Sequence, residues 1–315
     1  MAASGRDLLF GVSVVPLAEP PEFALGVTRT AEEAGLDLVG IQDHPYQRRF
    51  LDAWTLIATL VPATERFRFY LSVANLPLRP PAMLAKAAAS LDLISGGRVE
   101  MGLGGGAYWD PIVAMGEPRK SPGESLQAVR EAMEVMRLLW SGERSVRYEG
   151  EFYSLRGVRP GPRPAHEIGI WLGSMGPRML RLTGEMADGW VAPIPSYLPY
   201  ERWGDSQERI DAGAEEAGRD PSEILRIANI PGAITGGGGS RPRGADPLVG
   251  SSGFWAEMLA QWALEFRFDA FVFWPAEDPE GQVRRFGEEV VPIVREAVEA
   301  ERSRPRAPGG QSQGG

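Results

Sequence analysis

His44 follows Asp43 where an apolar run, Leu36–Gln42, gives way to Pro45. An imidazole at such a place can donate a hydrogen bond, relay a proton or hold charge against a bound ring. A loop histidine that only satisfies local backbone groups is the competing reading. Gly173-Ser174-Met175-Gly176-Pro177 joins another apolar run to the start of an amphipathic one. Glycines let a ligand reach the backbone, and free N–H groups at a helix N-terminus bind phosphate with help from the helix dipole. Arg178 or Arg181 stands ready to add charge. A plain strand-to-helix turn that needs small residues fits the same string, and the full glycine pattern of a dinucleotide site is absent. A third string, Gly104-Gly105-Gly106-Ala107-Tyr108-Trp109, lets a flat ligand lie along the backbone, or simply spaces two elements. The second histidine, His166, falls in a polar excursion after Pro164 and is expected to face solvent.

Composition removes other chemistries. The 315 residues include no cysteine, which excludes a disulfide framework, a thiolate zinc site and a cysteine nucleophile. With only 2 histidines, a multi-histidine metal centre is not expected either. Lys+Arg 33 against Asp+Glu 42 gives a net charge of −9, which disfavours nucleic acid and anionic membrane surfaces as partners. No window is apolar for the length of a membrane span, and Met1–Asp7 lacks a signal-peptide core, so the expected setting is the cytoplasm. Residues 1–7 and the Pro-, Gly-, Ser- and Gln-rich 302–315 are expected to be flexible ends of one barrel domain over 8–301.

The elements that must position these strings alternate. β-rich runs fall at Leu8–Val15, Leu36–Gln42, Phe67–Ala74, Arg98–Leu103, Ile168–Leu172, Gly189–Ala192, Ile224–Ile230 and Ala270–Trp274. Helical patterns follow them near Pro21–Ala34, Asp52–Val61, Pro80–Ile94, Ser121–Trp140, Pro177–Met186, Tyr200–Ala217, Ser252–Phe266 and Pro279–Glu299. Gly35 and Gly96-Gly97 close two of these helices. Ser121, Pro122 and Glu124 spell a capping box at the start of the clearest one. A hairpin at Val146–Tyr148 and Phe152–Leu155 forms a short excursion after helix 4. Strict alternation means parallel strands with helical crossovers. The expected fold is therefore an α/β (β/α)8 TIM barrel, with a doubly wound open sheet as the alternative. In a barrel the site lies at the C-terminal strand ends. Those ends carry Asp43-His44, Ser72-Val73-Ala74-Asn75, the two glycine strings, Ala192-Pro193 and Trp274-Pro275. Several tryptophans, Trp54, Trp109, Trp171, Trp190, Trp203, Trp255 and Trp274, recur near strand ends, mostly as packing.

As a set, these segments resemble the bacterial-luciferase-like flavin and deazaflavin oxidoreductases. The resemblance runs from about Leu8 to Glu299. It is carried by Ala31–Asp37 into Asp43-His44, by Asp92–Arg98, by Leu103–Gly106, by Pro122–Trp140, by Gly150–Tyr153 and by Ala187–Trp190. It implies a (β/α)8 barrel holding FMN or the deazaflavin coenzyme F420 at the mouth. It implies a non-prolyl cis peptide at Ser72-Val73, with Ala74 beside it, backing the ring. The Gly104, Gly105, Gly106, Ala107 loop would follow the ribityl chain, and Gly173, Ser174, Met175, Gly176 and Pro177 would take the phosphate. Asp43 and His44 would stand at the reactive part, with His44 catalytic. Ala107 replaces the acidic residue of the sugar-phosphate dehydrogenase branch, which argues against glucose 6-phosphate as substrate. The expected activity is hydride transfer between F420 and a small organic substrate, with an F420-reducing enzyme as electron source. The alternatives are an FMN-dependent two-component monooxygenase fed by a reductase, a non-catalytic flavin-binding protein, and an unrelated phosphate-binding barrel such as a lyase. Relatives commonly pair, so a homodimer is expected. The Gly236–Gly239 loop is assigned no role.

Overall fold

The computed structural model describes residues 6–303; of the expected flexible stretches 1–7 and 302–315, residues 1–5 and 304–315 lie outside the described residues. Eight parallel strands close on themselves: β1 (Leu9–Val14), β2 (Leu38–Ile41), β3 (Arg68–Leu71), β4 (Val99–Gly104), β5 (Ile170–Gly173), β6 (Gly189–Ala192), β7 (Leu225–Ile234) and β8 (Ala270–Pro275). β8 pairs with β1 and β6 with β7, so the eight strands close and the open-sheet alternative falls away; a short strand at Leu248–Gly250 pairs with the end of β7. The barrel helices are α1 (Phe23–Glu33), α2 (Ala53–Leu60), α3 (Pro81–Ser95), α4 (Pro122–Trp140), α5 (Pro177–Met186), α6 (Trp203–Glu216), α7 (Ser252–Glu265) and α8, which runs from Pro279 to Arg302.

Local chemistry sets the boundaries. Ser121 Oγ accepts from Glu124 N, and the Glu124 carboxylate accepts from Ser121 N at 2.7 Å, completing the capping box. Asp52 caps α2 by accepting from Thr55 N, and Gly96 ends α3 at φ +72°. α8 is not one regular helix, as its sequence suggests. A π turn at Phe286–Val290 interrupts it just before Pro292, whose ring lacks the N–H that a regular turn needs. Gly287 in that turn lies so close to α1 that a Cβ would sit 2.3 Å from Ala34 O. Arg302 is still helical and donates to Arg6 O at 2.6 Å, while Arg6 donates to Glu223 O.

Side chains alternate between two cores. Inside the barrel lie Leu38, Tyr70, Trp171, Val191, Ile227 and Val272. Between barrel and helices lies the larger core, with Phe10, Phe271, Trp190, Trp203, Trp255 and Trp262 fully buried. The hairpin strands pair at Val146–Glu149 and Ser154–Val158, and buried Glu131 of α4 accepts N–H groups from Glu151, Phe152 and Tyr153 at their turn.

The third strand departs most from its sequence reading. It stops at Leu71 and resumes as a short strand at Ala74–Asn75. Phe69 pairs with Val99 but Ala74 pairs with Leu103, so the third strand carries one residue more than β4 over the same span. This is a bulge, and the Ser72–Val73 peptide within it is cis, as the resemblance implied. Leu71 O turns toward β4 below the bulge, where a Cβ on Gly102 would lie 1.8 Å from it.

His166 is only partly exposed, less than its place in a polar excursion suggests. Buried Asp92 accepts the N–H groups of Ala165 and His166, which swings the ring inward. Its Nδ1 lies 2.8 Å from Asp92 and its Nε2 lies 3.5 Å from Glu100. The Glu100 interaction, against the opposing effect of burial and with help from Asp92, raises the His166 pKa.

Two outcomes are expected. Gly102→Ala overpacks the bulge and lowers stability by about 1–3 kcal/mol, read as a thermal midpoint several degrees lower; an unchanged midpoint contradicts the close approach. Because the folded His166 pKa is raised, its stabilisation is complete below about pH 6.5 and fades as pH rises through the folded value. Denaturation from pH 5.5 to 9 should show this fall in the natural chain and not in His166→Gln.

Candidate functional site

A cavity of about 370 Å³ opens at the C-terminal ends of the strands. It brings together Asp43, His44, Ser72, Val73, Ala74, Gly104, Gly105, Gly106, Ala107, Gly173, Ser174, Met175 and Gly176, which are every sequence-derived candidate except Pro177. Pro177 lines an adjoining cavity with Arg119, Lys120 and Arg178. The two cavities share Gly106, Ser125, Gly176 and Met179 along their seam.

Asp43 is 2% exposed, and its carboxylate is fully engaged. It accepts from Arg79 through Nε at 2.7 Å and a terminal nitrogen at 2.6 Å, and from Asn75 N at 2.9 Å. Arg79 also reaches Asp52 at 2.6 Å. Burial alone would lower the Arg79 pKa, but the hydrogen bonds and charge of Asp43 and then Asp52 raise it. This clamp fixes the end of β2 to the resumed third strand. Asp43 therefore holds the mouth in place and presents no free oxygen to it.

His44 is half-buried, and its Nδ1 lies 2.7 Å from the Tyr46 hydroxyl. Burial lowers the His44 pKa against the opposing pull of Asp43, so the ring is neutral near pH 7. Burial, then Tyr108 and Asp43, push the Tyr46 hydroxyl up to about 12, so it keeps its proton. Where the Tyr46 O–H donates to Nδ1 the His44 proton resides on Nε2, and where Nδ1–H donates to the Tyr46 oxygen it resides on Nδ1; Nε2 itself has no hydrogen-bond partner among the described residues. Tyr108 stands edge-on to His44 at 5.9 Å and to Tyr197 at 6.2 Å.

The glycines divide by role. A Cβ on Gly104 or Gly173 would meet Val73 Cγ2 at 2.6 or 2.9 Å, so these two are small because the bulge drives Val73 between them. Gly106, at φ +93°, packs on Pro77. Gly176 alone in its turn has open space where a Cβ would be. It stands at the N-terminus of α5, where no side chain caps the helix. The N–H groups of Arg178 and Met179 in that first turn have no acceptor among the described residues. The Ser174 hydroxyl is spoken for by Thr183 at 2.9 Å. Arg181 turns away to Glu216, whereas Arg178 lines the second cavity and forms no ion pair among the described residues.

Sequence reasoning passed over Tyr46, Ser125, Tyr197 and Asn229. Asn229 had a signal, an amide among the apolar residues Ile227, Ala228, Ile230 and Pro231. Its Nδ2 donates to Ala192 O and its Oδ1 accepts from Trp274 Nε1, both at 2.8 Å. Ser125 had none, since only folding brings α4 to the seam. Its Oγ and the Oδ1 of Asn75 are buried without a partner.

A closed parallel barrel with a cavity at its C-terminal mouth, running past an uncapped helix N-terminus, places the chain in the (β/α)8 class. The chain belongs to the luciferase-like monooxygenase family, whose sequence profile matches residues 8–235. It is 32% identical over 225 residues to a 5,10-methylenetetrahydromethanopterin reductase of Archaeoglobus fulgidus, covering 70% of this chain and 63% of that protein. It is 33% identical over 214 residues to an F420-dependent glucose-6-phosphate dehydrogenase of Microbacterium testaceum, covering 64% of this chain and 60% of that protein. The chain thus spans under two thirds of the length of these relatives. The coenzyme F420-dependent tetrahydromethanopterin reductase of Methanopyrus kandleri shares the fold at a TM-score of 0.77 and 21% identity, over 91% of this chain and 99% of that one. Among the described residues, no helix is long and apolar enough to cross a membrane, and no acidic, cysteine or histidine cluster fits a metal ion.

The clamp is testable. Arg79→Met leaves the buried Asp43 charge unpaired and should cost about 3–5 kcal/mol by denaturant titration. A loss below about 1 kcal/mol would show that the clamp is dispensable.

Proposed function

We propose that this chain is an F420-dependent oxidoreductase that moves a hydride between the deazaflavin and a small organic substrate. The observation that carries this reading is the continuity of the two cavities, from His44 past Val73 to Gly176 and on to three cations, Arg119, Lys120 and Arg178. A planar ring fits the mouth across Val73, and a phosphate fits the uncapped start of α5, where free N–H groups and the helix dipole favour an anion. The cations continue beyond that turn, which suits a phosphate that leads into a carboxylate-bearing tail. FMN ends at its phosphate and offers Lys120 and Arg178, which have no carboxylate partner among the described residues, nothing further to bind; Arg119 already pairs with Asp110. Two relatives named for methanopterin reduction and for F420-dependent dehydrogenation support the same choice. The orphaned Ser125 Oγ and Asn75 Oδ1 are further polar groups without a protein partner in the cavity lining.

When bound, the deazaflavin supplies a hydride donor or acceptor at its ring C5. His44 donates its Nε2 proton to a substrate oxygen or nitrogen as charge develops there, and takes it back in the reverse direction. This role uses the tautomer in which the Tyr46 O–H donates to Nδ1. Val73 fixes the depth of the ring, and Arg178 with the α5 N-terminus fixes its tail. The electron source is a separate F420-reducing enzyme.

Titration with F420, followed by its fluorescence, and with FMN in parallel tests the reading. Saturable F420 binding, much tighter than FMN binding, is expected, and Arg178→Glu should weaken it. With a turnover substrate in hand, His44→Ala should lose about 10²–10⁴-fold in rate while holding F420 within a few-fold of the natural affinity. Tight FMN binding with oxygen uptake, and no F420 binding, would establish the monooxygenase alternative instead.

A further inference from the structure

We propose that the substrate part of the mouth selects uncharged, flat, ring-bearing molecules and turns away anions such as sugar phosphates; this rests on the cofactor reading above. The basis is where charge falls around the site. Among the described residues, Asp43 is the only acid that lines the first cavity, its charge is met by Arg79, and no lysine or arginine lines that cavity. The cations that line the cleft, Arg119, Lys120 and Arg178, all lie in the second cavity, beyond the seam at Ser125 and Gly176, on the side proposed for the cofactor tail. An anion entering beside His44 would give up water and find no cation, only the imidazole, hydroxyls, the uncharged amides of Gln42, Asn75 and Asn229 and apolar surface, which costs several kcal/mol.

What the rim offers instead is aromatic surface. Tyr108 and Tyr197 are 41% and 46% exposed at the mouth and Met175 is 44% exposed, with Ile194 and Trp274 also lining the cavity. Tyr108 meets His44, Tyr46 and Tyr197 in T-shaped contacts, each setting the edge of one ring against the face of the other, and the exposed remainder of Tyr108 and Tyr197 is surface on which a ligand ring can pack. Large apolar groups left exposed around a cavity mark recognition of apolar ligands. A ring carrying one acceptor atom is served by this surface and by His44 Nε2–H together.

The test uses an isosteric pair that differs in charge, coumarin-3-carboxamide and coumarin-3-carboxylate, with glucose 6-phosphate as the sugar anion. F420 binding is established first by fluorescence, and the loaded protein is then titrated calorimetrically. The carboxamide should bind at least about tenfold more tightly than the carboxylate, and glucose 6-phosphate should give no saturable heat. Tyr197→Ala should weaken carboxamide binding about fivefold with F420 affinity unchanged. Ile194→Lys, which places a cation in the first cavity, should improve carboxylate binding about tenfold or more relative to the carboxamide. Equal or tighter binding of the carboxylate or of glucose 6-phosphate by the loaded protein overturns the proposal, and so does binding of none of the three. A chain that fails the first titration overturns the cofactor reading itself, before any coumarin is added.

Discussion

The paired hydrogen bonds from Arg79 to Asp43 are the constraint on which the mouth depends. Asp43 ends β2 and Arg79 follows the resumed third strand, so one buried pair joins the two segments that flank the bulge. Burying a carboxylate is costly, and only near-complete hydrogen bonding offsets it. Here two guanidinium contacts and the Asn75 N–H supply that. With Asp43 held, His44 next in the chain has one place to go, and Val73 is kept between Gly104 and Gly173. The catalytic candidate and the floor of the cavity are thus positioned by the same ion pair, which itself presents nothing to a ligand.

The second organising feature is a separation of charge along one continuous cleft. The end near His44 is neutral and aromatic, whereas the end near α5 carries cations and unpaired N–H groups. A ligand with a flat apolar head and an anionic tail fits that gradient in only one direction. A barrel with this gradient needs few dedicated contacts to orient such a ligand, because the wrong orientation would strand the tail in a cavity without countercharge.

Much of this was legible in the sequence because it depends on local pattern. Alternation gave the barrel, and the C-terminal rule for barrels then gathered nearly all of the candidate residues into one cavity without any further information. The capping box at Ser121 and the glycine at position 35 set helix ends that the structure reproduces. What stayed illegible depends on contacts between distant segments. The extra residue in the third strand is hidden because Phe67–Ala74 reads as one uninterrupted strand, and register is a property of two strands and not of one. His166 reads as a loop residue because Asp92, 74 positions away, is what draws it in. The glycines at 104 and 173 read as ligand contacts, yet their nearest demand comes from Val73, and only Gly176 faces open space. Tyr46 and Tyr197 carried no pattern at all; they matter because folding sets them beside His44 and Tyr108.

The central claim is that a ring lies across Val73 with its phosphate at the start of α5. A crystal structure of the protein with oxidised F420 measures this directly. The account requires density for the ring over Val73 within reach of His44 Nε2, and a phosphate on the N–H groups of Arg178 and Met179. A ring bound elsewhere, or a phosphate held away from Gly176, would contradict it.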